Sequence, residues 1–417
     1  MKRRQFMISA AALAAGGIAL PPLGWAQERS KLKITDIKLV KLSPRNPPPK
    51  FTPSADAWST EGVEVSAPPN IYPEFEPARR LFAAKDVPTF TVQVTTDKGI
   101  VGYGQGGAGG GDIVMGHFAQ YMIGRDPFDI ERNWDICFRI AESYGTEGVT
   151  MNAISGLDNA MWDIVGKALG VPVYDLLGGE QKARIPAYAT GNDIEQHVAF
   201  GFKRVKVAMP YGPISGEEGK RKNVELVARA RKAVGPDGDV MCDCWMSWNE
   251  EYTIAMCKLM EPYRVKWVEE VLPPYEFAGF GRLRKEVANT GIQIATGEHV
   301  YGRYGFRKLL DAEGAAIWQP DVTWCGGMSE LRKIGALAEA YDIPVIPHTG
   351  GTNGACHWSV SHVNGIWAEL FLPPPGGPKQ VYDMFEKQYE ITRGPEGIYM
   401  HPPRTPGWGW DVNATPI

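Results

Sequence analysis

The sequence lacks several patterns that would each have identified a class of protein. Its 417 residues contain no long basic run and carry a formal net charge of −4, which argues against a nucleic-acid-binding surface. The six cysteines show no zinc-site spacing, and we expect packed free thiols, although an even count in an exported chain would permit disulfides. With 44% apolar and 22% charged residues, the composition is globular. A small molecule is therefore the expected partner.

No apolar run at the N-terminus reaches the roughly 20 residues that a membrane span needs. The run "MISAAALAAGGIAL" follows the cationic "MKRRQF" and precedes "GWA", which is the arrangement of an export signal cleaved before Gln27. The pair Arg3-Arg4 followed by "QFM" resembles a twin-arginine signal. We expect residues 1–26 to be an export signal and the mature chain to be periplasmic, without stable membrane insertion. An uncleaved membrane anchor is the alternative.

The next segment has the pattern of a small α+β domain, which we place at residues 27–150. "KLKITDIKLVKL" and "TFTVQVTTDKGIVGYGQ" alternate apolar and polar residues as strands do. Between them, residues 43–79 are rich in proline and serine but hold several aromatic residues, which indicates a folded lid loop. "MNAISGLDNAMWDIVGKALGVPVYDLLGG" has helical spacing and ends at a glycine pair.

From residue 185 the pattern becomes repetitive. Eight short apolar runs begin near residues 185, 204, 239, 265, 292, 316, 343 and 365, mostly separated by amphipathic helical segments. Such an alternation predicts βα units in a parallel barrel, here over residues 151–390, with 391–417 as a tail. A doubly wound sheet would give the same alternation, but eight units and the absence of a glycine fingerprint favour the barrel.

Carboxylates end three consecutive runs: Asp243 the third, Glu269 the fourth and Glu298 the fifth. Because active sites of parallel barrels lie at the carboxyl ends of the strands, these residues should meet at one place. Hard oxygen ligands without a cysteine or histidine cluster favour Mg²⁺. Each acid could instead pair with its own lysine or arginine, but three in register on successive strands make that reading less favourable.

The next strands continue the pattern. Asp321 ends the sixth run and His348 the seventh, so that the aspartate could hold the imidazole and raise its basicity for proton abstraction. Glu369, on the eighth, could donate a hydrogen bond to a developing oxyanion if it is protonated, which a buried, acidic setting would favour.

These residues, in this order and after the "LDNAMWD" helix, resemble the mandelate racemase branch of the enolase superfamily over essentially the whole mature chain. Within that branch, "YATG", "DCWMSW", "WVEEVLPP", "TGEH", "QPDVTWCGG" and "VIPH" resemble acid-sugar dehydratases of the L-rhamnonate dehydratase type. The resemblance implies a (β/α)7β modified TIM barrel under an α+β capping domain, with the tail returning to the cap. It also implies Mg²⁺ on Asp243, Glu269 and Glu298, a His348–Asp321 dyad as base, and a homo-oligomer.

The implied activity is dehydration of a sugar acid to a 2-keto-3-deoxy acid by α-proton abstraction and loss of the β-hydroxyl as water. Lys206, in the apolar "VKVAM", is the candidate cation beside the substrate carboxylate. Many relatives carry a second basic residue two positions later, where this chain has Ala208, so a single-base elimination is the simpler chemistry. Epimerisation or cycloisomerisation on the same fold is the alternative, and a sugar-acid-binding protein without turnover is a third possibility, against which the intact dyad argues.

Substrate contacts are the least determined part of the resemblance. Arg79, in "EFEPARRLF", matches a substrate-contacting arginine, or is a surface arginine. His299 and His357 are expected to line the pocket, with packing as the alternative for either. The lid stretch "STEGVEVSAPPN" lacks the histidine that rhamnonate dehydratases use, so the sugar acid could differ from L-rhamnonate.

Overall fold

The computed structural model describes residues 32–45, 50–58, 64–76, 87–350, 354–373, 375 and 389–417. The predicted export signal and Arg79 lie outside these ranges. Within these ranges, no helix has the length and apolar character that a membrane span needs.

The capping domain is built on a four-stranded antiparallel sheet. Strands β1 (Ile34–Pro44), β2 (Phe90–Thr96) and β3 (Val101–Gly106) pair in sequence order, and β2 and β3 are joined by a turn at Gly99 with φ +75°. The last strand of the chain, β13 (Val412–Pro416), pairs with β1. The C-terminal tail therefore returns to the cap, as predicted.

Helices cover one face of this sheet. They are α1 (Gly110–Ile113), a π-helical turn (Val114–Phe118), α2 (Ala119–Met122), α3 (Ile130–Ala141) and α4 (Val149–Leu169). The long helix α4 packs directly on β3, where a Cβ atom at Gly104 would lie 1.9 Å from the carbonyl oxygen of Gly156. Only glycine permits so close a contact between backbones.

The predicted eight-strand barrel is present. Its parallel strands are β4 (Ile185–Thr190), β5 (Arg204–Ala208), β6 (Asp239–Asp243), β7 (Val265–Glu269), β8 (Gln293–Thr296), β9 (Ile317–Trp318) and β10 (Ala368–Phe371). The seventh position is reduced to single bridges from Val345 to Trp318 and to Gly365. Since β10 pairs with β4, the ring closes.

Helices surround the barrel, and side chains fill it. The helices are α5 (Val173–Leu176), α6 (Ile194–Phe200), α7 (Gly216–Val234), α8 (Glu250–Met260), α9 (Phe277–Glu286), α10 (Gly302–Asp311), α11 (Met328–Glu339) and α12 (Ala355–Ser361). One buried cluster draws its members from successive barrel strands: Tyr188, Met241, Trp267, Ala295, Ile317, Ile346 and Trp367. Because this interior is packed, a binding site can form only at an end of the barrel.

Two further features complete the fold. Strands β11 (Glu390–Gly394) and β12 (Gly397–His401) form a hairpin whose second strand pairs antiparallel with β4. All six cysteines are buried free thiols, as expected.

The lid packs on the barrel only in part. Ser66 N–H donates to the Met209 carbonyl at 2.8 Å, whereas Ile71 and Tyr72 are exposed.

Candidate active site

A cavity of about 780 Å³ lies between the carboxyl ends of the barrel strands and the capping domain. The barrel contributes mainly polar side chains to its lining: Thr190, Asp243, Glu298, His299, His348 and Glu369. The cap contributes mainly apolar ones, together with one amide: Trp58, Val65, Val87, Val149 and Asn152. The cavity therefore brings together most of the residues predicted from strand ends.

Strand geometry explains this convergence. Asp243 is the last residue of β6 and pairs in register with Glu269, the last residue of β7. Met241 and Trp267, two positions earlier, fill the barrel, and side chains two apart on a strand share a face. The carboxylates consequently continue the inward-facing rows of the barrel, at the level where its apolar filling stops.

The predicted dyad is formed. His348 Nδ1 lies 2.7 Å from Asp321 Oδ2, so that in the neutral imidazole the Nδ1 proton faces this carboxylate and Nε2, 3.5 Å from Glu298 Oε2, carries no proton. Asp321 is held in turn by the backbone N–H and the hydroxyl of Thr323, both at 2.6 Å, and by the Thr349 hydroxyl at 3.2 Å. This fixed tautomer is the form of histidine that can accept a proton at Nε2.

Electrostatics favour a basic His348. Burial lowers the pKa of the imidazole, but the nearby carboxylates of Glu298 and Asp321 outweigh burial and raise that pKa well above its usual value. The geometry agrees with the sequence-based assignment of a base, and the surrounding carboxylates stabilise the imidazolium that His348 becomes once it has accepted a proton.

Lys206 lies deeper than expected. Its side chain is 1% exposed and does not line the cavity; Nζ is bonded to Glu269, lies 2.9 Å from Glu369 Oε1 and lies 3.3 Å from Asp243 Oδ2. Although burial lowers the pKa of Lys206, these carboxylates raise it well above its usual value. Lys206 is therefore a buried cation beneath the site.

Glu369 is not in the protonated state that its burial suggested. Burial raises the pKa of this carboxyl, but Lys206 and His348 outweigh burial and lower it to about 2. The carboxylate accepts hydrogen bonds from the Thr190 hydroxyl and, at 2.8 Å, from the Thr349 N–H. It is thus an ionised acceptor. The sequence could not reveal this ionisation, because it depends on Lys206, a residue of another strand that lies 2.9 Å away.

Glu270 is a site residue that the sequence did not reveal. Neighbouring residues of a regular strand face opposite sides, so "WVEEV" predicted only Glu269 inward. Glu270, however, has φ +49°, beyond the end of β7, and its carboxylate lies 3.0 Å from His299 Nδ1. Carboxylate oxygens of Glu270 and Glu298 and a ring nitrogen of His299 lie within 4.8 Å of one another, close enough to bind one metal ion. Glu269 is instead enclosed by Lys206, Trp267 and Gln319.

The donor set fits a divalent cation. Buried or half-buried carboxylates outnumber the groups that can balance them: Asp243, Glu269, Glu270, Glu298, Asp321 and Glu369 against Lys206, His299 and His348. Burial and Glu270 raise the pKa of Glu298 well above its usual value, and burial raises that of Glu269 to about 7 despite Lys206. The raised pKa values show that too little positive charge lies near these carboxylates. A bound cation that prefers oxygen ligands would supply it.

Trp324 was also missed. It follows Asp321 in "QPDVTWCGG", and its ring lies 5.0 Å from that of His348 and 5.1 Å from that of His299. Nothing in the spacing shows which side of a loop faces the cavity. Its indole contacts both imidazoles and lines the cavity beside them.

The two other histidines differ in position. His299 lines the cavity, as predicted, and although burial lowers its pKa, Glu270 raises it to about 9. His357 does not: it is buried between Tyr174 and Trp408, and burial lowers its pKa to about 3. The packing alternative is the correct one for His357, since helix α12 turns this residue towards the tail.

The chain resembles known proteins over nearly its whole length. Residues 190–415 match the family described as enolase C-terminal domain-like, and residues 78–178 match the mandelate racemase / muconate lactonizing enzyme N-terminal domain. L-rhamnonate dehydratase from Saccharopolyspora erythraea is 37% identical over 360 residues, which cover 86% of this chain and 91% of that protein.

Solved structures give the same relationship. Rhamnonate dehydratase from Gibberella zeae complexed with Mg is 34% identical, with a TM-score of 0.79 over 91% of this chain and 94% of that one. The 3,6-anhydro-D-galactonate cycloisomerase from Zobellia galactanivorans is 27% identical, with a TM-score of 0.70 over 91% and 97% of the two chains.

Proposed function

Because the chain belongs to the mandelate racemase / muconate lactonizing enzyme family of the enolase superfamily, we propose that it is a Mg²⁺-dependent hydro-lyase that converts a sugar acid into a 2-keto-3-deoxy acid. The observation that carries this proposal is the His348–Asp321 dyad, which opens onto the same cavity as Asp243 and Glu298. A base and a cation site that share one cavity suit abstraction of a proton next to a carboxylate.

Asp243, Glu269 and Glu298 are the residues that would hold Mg²⁺, with Glu270 beside them. When bound, the ion neutralises the negative charge that develops on the substrate carboxylate as the α-proton leaves. Lys206 adds a fixed positive charge beneath the same carboxylates, at 3.3 Å from Asp243.

His348 carries out the proton transfers. Its Nε2 takes the α-proton, and Asp321 at 2.7 Å stabilises the imidazolium that forms. The imidazolium then returns the proton to the departing β-hydroxyl, so that water leaves and the resulting enol becomes the 2-keto acid. Trp324, whose ring lies 5.0 Å from the imidazole, forms the cavity wall beside this proton transfer.

Cycloisomerisation is the second candidate, supported by the similarity to the cycloisomerase structure. Both reactions begin with removal of the α-proton, so the dyad does not distinguish them. Epimerisation would need a base on each face of the substrate, and the cavity wall has Ala208 at the position where many relatives carry the second one. Dehydration requires His348 alone, which favours it.

The test is a panel of aldonates assayed for 2-keto acid formation with Mg²⁺. His348→Asn should lose product formation and α-proton exchange in D₂O, each by about 10² to 10⁴, as expected for loss of a general base. His117→Asn replaces a half-buried histidine of the cap that does not line the cavity, so this variant is the matched control and should retain activity. Persistent exchange in His348→Asn would contradict the single-base mechanism and favour an epimerase.

We also propose export to the periplasm through the twin-arginine route and assembly into a homo-oligomer. The first rests on Arg3-Arg4 and the apolar run that follows; the second rests on family resemblance alone.

A further inference from the structure

Asn152, in the first turn of α4, is a polar side chain of the cap in a mostly apolar part of the cavity wall. It lines the cavity, is 8% exposed, and donates through Nδ2 to the carbonyl of Ala108 at 3.0 Å. Its Oδ1 has no hydrogen-bond partner within the described part of the chain. An unpaired buried acceptor loses its hydration without compensation, so it is an unusual feature in a folded protein.

The orientation of this amide is determined by its surroundings. If nitrogen and oxygen were exchanged, Oδ1 would face the Ala108 carbonyl, and two acceptors would meet. Oδ1 is therefore the buried atom that lacks a partner, and it can only accept a hydrogen bond.

The amide also lies close to the catalytic base. A Cβ atom at Gly107 would lie 2.5 Å from Asn152 Cγ and 2.6 Å from Trp324 Cδ1. Both side chains therefore lie against the backbone at Gly107. Trp324 packs in turn on His348. Asn152 thus lies on the cap side of the cavity, one ring away from the base.

We propose that Asn152 is a specificity-determining residue whose Oδ1 accepts a hydrogen bond from a hydroxyl of the sugar acid. This inference rests on the proposed function, because the strand ends bind the carboxylate end of the substrate and leave the hydroxyl-bearing chain to face the cap. An uncharged acceptor suits a neutral hydroxyl donor, whereas it would repel a carboxylate. Asn152 would therefore also set the direction in which the substrate lies.

The experiment pairs a variant with substrates that lack single hydroxyls. Asn152→Ala and wild type are compared by kcat/KM on the aldonate that is turned over best and on its monodeoxy analogues. Asn159→Ala is the matched control: this asparagine of α4 bonds the backbone at Val322 and Met328, away from the substrate. Thermal unfolding of each variant reports on folding.

Asn152→Ala should lower kcat/KM for the parent aldonate by about 3- to 10-fold, the effect of one neutral hydrogen bond, and leave one deoxy analogue unaffected. Asn159→Ala should lower activity on all substrates alike. An equal loss with every substrate in Asn152→Ala would overturn the proposal.

Binding provides a second readout that is independent of turnover. With His348→Asn as background, calorimetry should show the same 3- to 10-fold loss of affinity for the parent aldonate on Asn152→Ala, and unchanged affinity would overturn the inference. Absence of turnover in the wild type would contradict the dehydratase function instead, and the calorimetric comparison would still decide the role of Asn152.

Discussion

Replacement of Lys206 by methionine tests the electrostatics of the site most directly. The side chains are similar in length, so packing is nearly preserved while the positive charge is lost. Lys206 is 1% exposed and contacts Glu269, Glu369 and Asp243. Removal of one partner from a buried ion pair typically costs about 3 to 5 kcal/mol, because the remaining charge stays buried without compensation.

The pKa of Glu369 shows how this loss should depend on pH. Burial raises this pKa, but Lys206 and His348 outweigh burial and lower it from a usual value of 4.5 to about 2 in the folded protein. The ionised Glu369 therefore contributes stability that is present above pH 4.5 and lost as the pH falls through about 2. In Lys206→Met, burial dominates, the carboxyl stays protonated, and this contribution disappears.

Urea unfolding in EDTA, followed by far-UV circular dichroism, measures the difference. Lys206→Met should lose about 3 to 5 kcal/mol at pH 7, and the gap to wild type should narrow below pH 4.5. Added Mg²⁺ should recover part of the loss, since it replaces the missing charge. Lys222→Met, which removes an exposed pair with Glu218, is the control and should show no measurable change. A loss below about 1 kcal/mol in Lys206→Met would refute the reasoning.

Three further outcomes are expected. Asp243→Asn and Glu298→Gln should each weaken Mg²⁺ binding in calorimetry and abolish turnover; near-native affinity would show that the residue is not a ligand. His357 has a pKa of about 3, so the folded protein loses stability as the pH falls below 6.5 and the unfolded chain binds the proton. His357→Gln should reduce that loss by about 2 kcal/mol between pH 6.5 and 5, with kcat unchanged at pH 7; an unaltered pH slope would contradict this. Replacement of Arg3-Arg4 by two lysines should retain the protein in the cytoplasm, as seen by cell fractionation, whereas unchanged periplasmic yield would indicate the general secretory route.

Much of the site was readable from the sequence because strand ends are local features. Asp243 and Glu269 each terminate a short apolar run, and such runs in alternation with amphipathic helical segments predict the buried strands of a parallel sheet or barrel. Asp321 and His348 lie just beyond the ends of neighbouring barrel segments, and the order of these segments predicts that the two side chains meet, as their 2.7 Å contact shows. Position along the strand and the order of strands therefore suffice to bring these groups to one end of the barrel.

Residues whose role depends on side-chain direction outside regular strands could not be read in this way. Glu270 reaches the site only through a φ of +49°, and His357 is turned away from it by a short helix. The protonation state of Glu369 depends on how closely Lys206 approaches it. The exposed aromatic side chains of the lid show that composition does not determine which surface of a loop is buried.

The sequence by itself determined the barrel, the cap and the chemistry of the strand ends, since hydrophobic periodicity and a terminal carboxylate are properties of single segments. Only the tertiary structure decided the ionisation of Glu369, the depth of Lys206, and the approach of Asn152 and Trp324 to the base. These features depend on distances between segments that are far apart in the chain. Only the folded structure sets those distances, and with them the burial and the neighbouring charges that shift a pKa or leave an acceptor unpaired.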